Sequence, residues 1–449
     1  MTLVGEATAR YHKIIEGEPY IDLTWAEALQ ERLKSDKLTG RPVSPVLRPR
    51  FVAGRDFAAL GKASLALLSA IQRIEGLLIA NPTLLARLHL LPAERMLASV
   101  DTGYSLLTMP GVLDASLHNG VLHFGGYRLS SPSNVLFADM LADVYYDAPP
   151  VKEFRKKYKL TKLSSAKALV QSMLKAYKES GGKNKKPNIA IVEPRAPFQP
   201  PDSSEYALFA EFLRQQGYSA ELVLPDQLEY RNGVLQRGDW AIDLVYRTIR
   251  LQEFLVRFDL NHPLVRAYKD RAVCMVNSFR AEMTTKRILF DLLTDDSITG
   301  KFPAAERKAI HEFIPWTRFV QAAKVIHKKR NVDLPEFVMK YRAKLVLRPN
   351  DDSGDLPTFR GAETDDAGWE KALRQAMRSP YVVQESVEPG RGVFPFLQYG
   401  SLVMKEMQVG THPHVLGGKI QGASTWLHSG SNGFTTLSGL APTFLLEGK

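Results

Sequence analysis

Lys344-Leu345-Val346-Leu347-Arg348-Pro349-Asn350-Asp351-Asp352 and, further along, Tyr381-Val382-Val383-Gln384-Glu385-Ser386-Val387 are the stretches whose reading decides the fold. Each has a short apolar core, 345–347 in the first and 382–383 in the second, of the length and type expected for a buried strand. Each core runs out into charged and polar residues. Between them lie a loop rich in Gly, Asp and Pro and a helical segment over about 369–377. A strand that delivers a cation, a polar loop and a second strand that delivers a carboxylate can hold a nucleotide. The cation meets phosphate, and the second strand offers backbone groups to a flat base edge. The same pieces also occur in α/β domains without nucleotide, so this unit alone leaves both readings open.

The composition bounds what surrounds it. A chain of 449 residues is long enough for roughly two to four domains. Its 45% hydrophobic and 24% charged content is that of a soluble globular protein. No run of about eighteen apolar residues marks a membrane span. The first twenty residues carry Glu6, Glu16 and Glu18 and no apolar core, which excludes a secretory signal. Cys274 stands alone in an apolar run, 272–276, so there is no internal disulfide and no cysteine metal site. A buried small hydrophobe is the expectation there, and a cytoplasmic location fits all of this. The net charge of +11 is concentrated in 151–186, where eleven Lys and one Arg face two Glu. That block lacks the interleaved aromatics and motifs of a nucleic-acid surface. A solvated linker and helix face is the expectation, with no membrane partner and nucleic acid disfavoured; salt-dependent binding of nucleic acid or an anionic surface through 151–186 stays open as a third reading.

Working outward towards the N-terminus, 55–80 reads as a long helix with apolar residues on more than one face, ended by Asn81-Pro82. A hairpin is expected around Asn119-Gly120, and a helix over 135–146 capped by Ser133 or Asn134. Gly181-Gly182-Lys183-Asn184-Lys185-Lys186-Pro187 is the clearest linker. From 188 to 277 short apolar runs (189–192, 220–224, 241–246, 272–276) alternate with helical segments, which argues a parallel sheet. The absence of Gly-x-Gly-x-x-Gly after the first run excludes the usual dinucleotide site. Residues 281–294, carrying Lys286, read as helical, and a further helix is expected over about 318–330 with Thr317 as cap. The last fifty residues mix Gly, Ser, Thr and β-branched residues with strand patches.

Taken in this order, the second half of the chain resembles the ATP-grasp superfamily, closest to its circularly permuted branch related to glutathionylspermidine synthase. The resemblance spans about 187–448. It rests on Asp243-Leu244-Val245-Tyr246-Arg247, on Val276-Asn277-Ser278 before Lys286, on the two opening stretches, and on Gly439-Leu440-Ala441-Pro442-Thr443-Phe444. It implies an α/β and α+β fold. A mainly helical N-terminal region (1–180) precedes a parallel pre-ATP-grasp unit (187–280) and the ATP-grasp subdomains (281–449).

It further implies an ATP-dependent carboxylate–amine ligase working through an acyl-phosphate, with ATP and Mg²⁺ as cofactors and a small-molecule acid and amine as substrates. Lys286 and Arg348 would then neutralise phosphate, Arg348 where the family usually has Lys. Gln384, Glu385 and Val387 would meet adenine. Arg247 would hold the anionic substrate or acyl-phosphate, and Asn432 and Glu406 would bind the metal. The pattern departs from the family at Gly410-Thr411-His412, where an Asp is expected, at Trp426, where Arg is expected, and at Gly430, where many members have Glu. These departures keep open a second reading, a degenerate scaffold that binds a partner without catalysis. The substrates and the oligomeric state are not legible.

Overall fold

The computed structural model describes residues 2–35, 43–118, 121–129, 134–194, 205–351, 356–430 and 437–448. Both opening stretches form strands, Leu345–Pro349 and Tyr381–Glu385. They pair antiparallel, with Val346 opposite Gln384 and Arg348 opposite Val382. Thr317–Phe319 and Phe359–Arg360 complete a four-stranded sheet. Alternation then divides its residues. Leu345, Leu347, Tyr381 and Val383 pack onto Trp369 and Leu373 of the helix Asp366–Ala376, leaving Arg348 and Gln384 on the opposite face. The helix starts where the Asp365 carboxylate accepts from Gly368 N, and Trp369 Nε1 donates to Val338 O at 3.1 Å.

The helix expected over 318–330 is not there. Thr317–Phe319 instead pairs with residues 382–384, and Lys324–His327 and Arg330–Asp333 form a hairpin. Lys328 and Lys329 turn it with φ of 47° and 65°. Ala and Lys favour helix, but Val320, Val325 and Ile326 suit a strand, and propensity is a weak prior that an available strand edge outweighs. The segment 281–294 is also broken, into Glu282–Thr285 and Ile288–Leu293 with Lys286 extended between them.

The parallel unit forms as expected, in the order Cys274–Val276, Leu244–Arg247, Ile189–Val192, Ala220–Val223. Ile189–Val192 is buried along its whole length, as a strand covered on both faces should be.

The largest sheet is assembled across the whole chain. Its spine is the long strand Ser401–Leu416. Lys419–His428 and then Ser438–Ala441 add to one side. On the other side Gly390–Gln398 pairs with its first half and Gly111–His118, followed by Val121–Arg128, with its second. The Asn119-Gly120 tip of that hairpin lies outside the described residues. Residues 1–180 thus contribute strands as well as helices. Arg50–Ala53 and Tyr158–Lys162 flank Thr443–Gly448 in a further three-stranded sheet.

Two helices tie these sheets together. Gly54–Ala80 is long and apolar enough by length and composition to cross a membrane, yet Leu67, Ile71, Ile74 and Leu78 are sealed in the largest core cluster. Val135–Tyr146 forms within the expected bounds with Asn134 at its N-cap position, at φ 68°, but the Asn134 side chain makes no cap bond; Ser133 lies outside the described residues. The Glu205 carboxylate accepts from Asn134 N at 2.7 Å and Leu136 N at 2.8 Å instead. A carboxylate there satisfies amides the helix itself leaves unpaired.

Candidate functional site

Between the four-stranded sheet and the largest sheet lies a cavity of about 1150 Å³. Arg348 and Gln384 project into it from one wall, with the chain continuing through Glu385, Ser386 and Val387. Arg348 Nη1 donates to Gln384 Oε1 at 3.2 Å and, across the cleft, to Gly125 O at 3.1 Å. A Cβ on residue 125 would sit 3.1 Å from that nitrogen, so glycine permits the approach. Gln384 Nε2 donates to Thr317 Oγ1 at 2.9 Å, which fixes which end of the amide faces Arg348.

The opposite wall holds Asp114 and Arg128, which the sequence reading did not single out, and His412, noted there only as a departure from an expected Asp. Asp114 and Arg128 come from the Gly111–Arg128 hairpin and His412 from the long strand, and all three line the cavity. Arg128 Nη2 is 2.9 Å from Asp114 Oδ1, and His412 Nδ1 is 3.1 Å from the same oxygen, at an angle that falls short of a hydrogen bond. A β-bulge between Asp114 and Ala115 sets the aim of this carboxylate. Burial would raise its pKa. Arg128, His412 and Arg348 outweigh burial and hold the carboxyl well below the usual carboxylate range. His123 also lines the cavity, and burial pushes its pKa down. Strict alternation of Asp114, Ser116 and His118 in an otherwise apolar run is a signal of a polar strand face. No sequence signal says which sheet that face joins.

Three of the other expected site residues, Lys286, Arg247 and Glu406, lie outside the cavity lining. Lys286 is 2% exposed and turned inward, bound to Glu94 Oε1 at 2.9 Å and to Asp351. Burial would lower its pKa, but Glu282, Asp351 and Glu94 together raise it. Its neighbour Arg287 lines the cavity in its place, donating to Pro349 O at 2.8 Å and Asp351 O at 3.1 Å. Arg247 is fully buried and clasps the carbonyls of Asn277, Ile249 and Ser278 at 2.9, 2.6 and 3.2 Å. It stitches the end of its strand to the 277–278 turn, away from the cavity. Glu406 is exposed and pairs with Arg391 at 3.0 Å outside the cavity lining. Asn432 lies outside the described residues. Glu385 lines the cavity but is held by His327 at 3.1 Å and Lys328 at 3.4 Å. The amides of Glu385 and Ser386 already donate to Trp316 O and Lys344 O.

The expected Mg²⁺ is not matched by this donor set. Among the described residues no group of three or more His, Cys, Asp or Glu side chains is placed to hold a metal ion. A hard cation needs oxygen ligands, and the oxygens here are already shared with guanidinium, ammonium and imidazole groups.

No protein-family model matches the sequence, and no curated protein is similar to it. Among solved structures, a glutathione synthetase-like effector from Globodera pallida, determined in apo form, superposes with a TM-score of 0.60 at 13% identity. The match covers 96% of this chain and 98% of that one. The chain has the ATP-grasp fold. A putative gamma-glutamylcysteine synthetase from Methylobacillus flagellatus matches at a TM-score of 0.41 and 9% identity over 86% of each chain. A RimK domain ATP-grasp protein from Sphaerobacter thermophilus matches at 0.28 and 13%, over 57% of this chain and 89% of that one. At these identities the likeness speaks for the fold alone, so the ATP-grasp cleft must be read from its own side chains.

Proposed function

We propose that the cleft binds ATP and that the protein is an ATP-dependent carboxylate–amine ligase acting through an acyl-phosphate. The observation that carries this is the meeting of Arg348, Gln384 and the 385–387 segment in one cavity, on the wall that the ATP-grasp fold gives to nucleotide. Arg348 and Arg287 face the phosphates, where guanidinium forks match phosphate oxygens. The base edge reads carbonyl oxygens of the 385–387 segment, because the Glu385 and Ser386 amides are engaged. Arg128 on the far wall adds a guanidinium facing the same cleft, with His412 beside it. Completion of the C-terminal sheet by an N-terminal hairpin supports membership of the permuted branch.

A second reading, nucleotide binding without turnover, is favoured by the cleft carboxylates being already paired. Calorimetric titration of ATP into the protein, with Arg348→Ala in parallel, tests the shared premise. Binding weakened by about tenfold or more in the variant is expected. No heat from the wild-type protein with or without Mg²⁺ sinks the nucleotide reading. Given binding, a screen of acids and amines for ADP release separates ligase from scaffold.

A further inference from the structure

Among the described residues three carboxylates line the ATP-grasp cleft, Asp114, Glu363 and Glu385. None stands ready for a cation. Asp114 is held by Arg128 and His412, Glu385 by His327 and Lys328, and Glu363 is engaged as well. Four arginines line the same cavity, Arg128, Arg287, Arg348 and Arg360. Two further features point to an anionic occupant. Arg128 Nε is buried and has no hydrogen-bond partner among the described residues. Buried donors of this kind are costly unless something meets them. The Asp114 carboxylate already sits on Arg128 as a phosphate or carboxylate ligand would.

We propose that this cleft takes its polyphosphate as the metal-free anion, with arginine supplying the positive charge and Asp114 serving as an internal counter-anion that keeps Arg128 and His412 in place. This rests on the phosphate-binding half of the proposed function and not on turnover. A guanidinium 2.9 Å from the carboxylate competes directly with a divalent ion for the same oxygen. A magnesium chelate would bring a second cation into a cleft whose charge is already positive. The free anion pairs with that charge directly, and its oxygens replace those of Asp114 on the guanidinium.

The test is calorimetric titration of the full chain with ATP and separately with tripolyphosphate, each in EDTA and in excess Mg²⁺ at constant ionic strength. Both anions are expected to bind in EDTA, and magnesium to weaken both by about tenfold, the worth of one charge-assisted contact. Asp114→Asn should tighten binding in EDTA severalfold, because the anion no longer displaces a carboxylate. A misfolded variant cannot produce that gain. Binding that requires Mg²⁺, or an Asp114→Asn that weakens the magnesium complex without a gain in EDTA, overturns the proposal and leaves the ATP reading standing. Tripolyphosphate binding without ATP binding does the reverse. Absence of binding by either anion in every condition overturns both.

Discussion

The two walls of the cleft are built in opposite ways. The Arg348 wall is local: its central strands lie in one stretch of about forty residues, and two nearby helices, Leu334–Lys340 and Asp366–Ala376, cover their back. The Asp114 wall is assembled from distant pieces, with Ala115 paired to Thr411 and Val112 to His414. A wall of the first kind carries its register within its own sequence, through alternation and covering helices. A wall of the second kind is specified only when two segments from opposite ends of the chain fit one another. The cluster of Asp114, Arg128 and His412 sits on the second wall.

The contrast is broken most severely by removing 443–449. Thr443–Gly448 is the middle strand between Arg50–Ala53 and Tyr158–Lys162, and Phe444 and Leu446 are fully buried. Two lost core side chains and two lost strand pairings cost on the order of 5 kcal/mol or more. The expected outcome is loss of the cooperative thermal transition seen by circular dichroism. A truncated chain with a wild-type melt would mean that the N-terminal strands hold their places without the C-terminal one.

A smaller and pH-dependent effect sharpens the same point. Burial lifts the Glu205 carboxyl from its ordinary 4.5 to about 7, against the pull of the amides it caps. The folded protein therefore keeps this proton where the unfolded chain has lost it. Stability falls as the pH rises from 4.5 towards 7 and is largest below that window. Glu205→Gln, which cannot ionise, should flatten this stretch of the profile by up to about 3 kcal/mol, read from urea midpoints at acid and neutral pH. An unchanged slope would mean that Glu205 is ionised in the folded state.

The smallest effect is expected at Glu406, whose exposed pair with Arg391 is worth about 0.5 kcal/mol or less. Glu406→Ala should leave both the melting temperature and the ATP titration unchanged. A tenfold loss of nucleotide affinity would instead place this carboxylate in the site.

These differences follow what the sequence could and could not convey. The strands of the Arg348 wall and of the parallel sheet, and the helix Val135–Tyr146, were legible because apolar cores of the right length or period stand between clear breaks. Lys286 and Arg287 were not separable, because which of two adjacent cations turns inward depends on Glu94, a distant residue that binds Lys286. Arg247 looked available for a substrate, but three backbone carbonyls claim it. Residues 318–330 carried too weak a helical preference to resist a strand edge offered by residues 382–384. Asp114 and Arg128 were visible only as part of a hairpin, since their meeting with His412 is a property of the closed sheet.

Synthesis runs from one end of the chain to the other, and the Gly111–Arg128 hairpin leaves the ribosome long before its partner strand. Its pairing of Val112 with His414 must wait for about three hundred further residues, on the order of 15–60 s at ordinary elongation rates. Through that interval the Gly111–His118 edge, with Val112, Leu113 and Ala115 destined for the core, stays unpaired and open to other strands. Until the C-terminal strand arrives, that edge is the part of the newborn chain most open to mispairing.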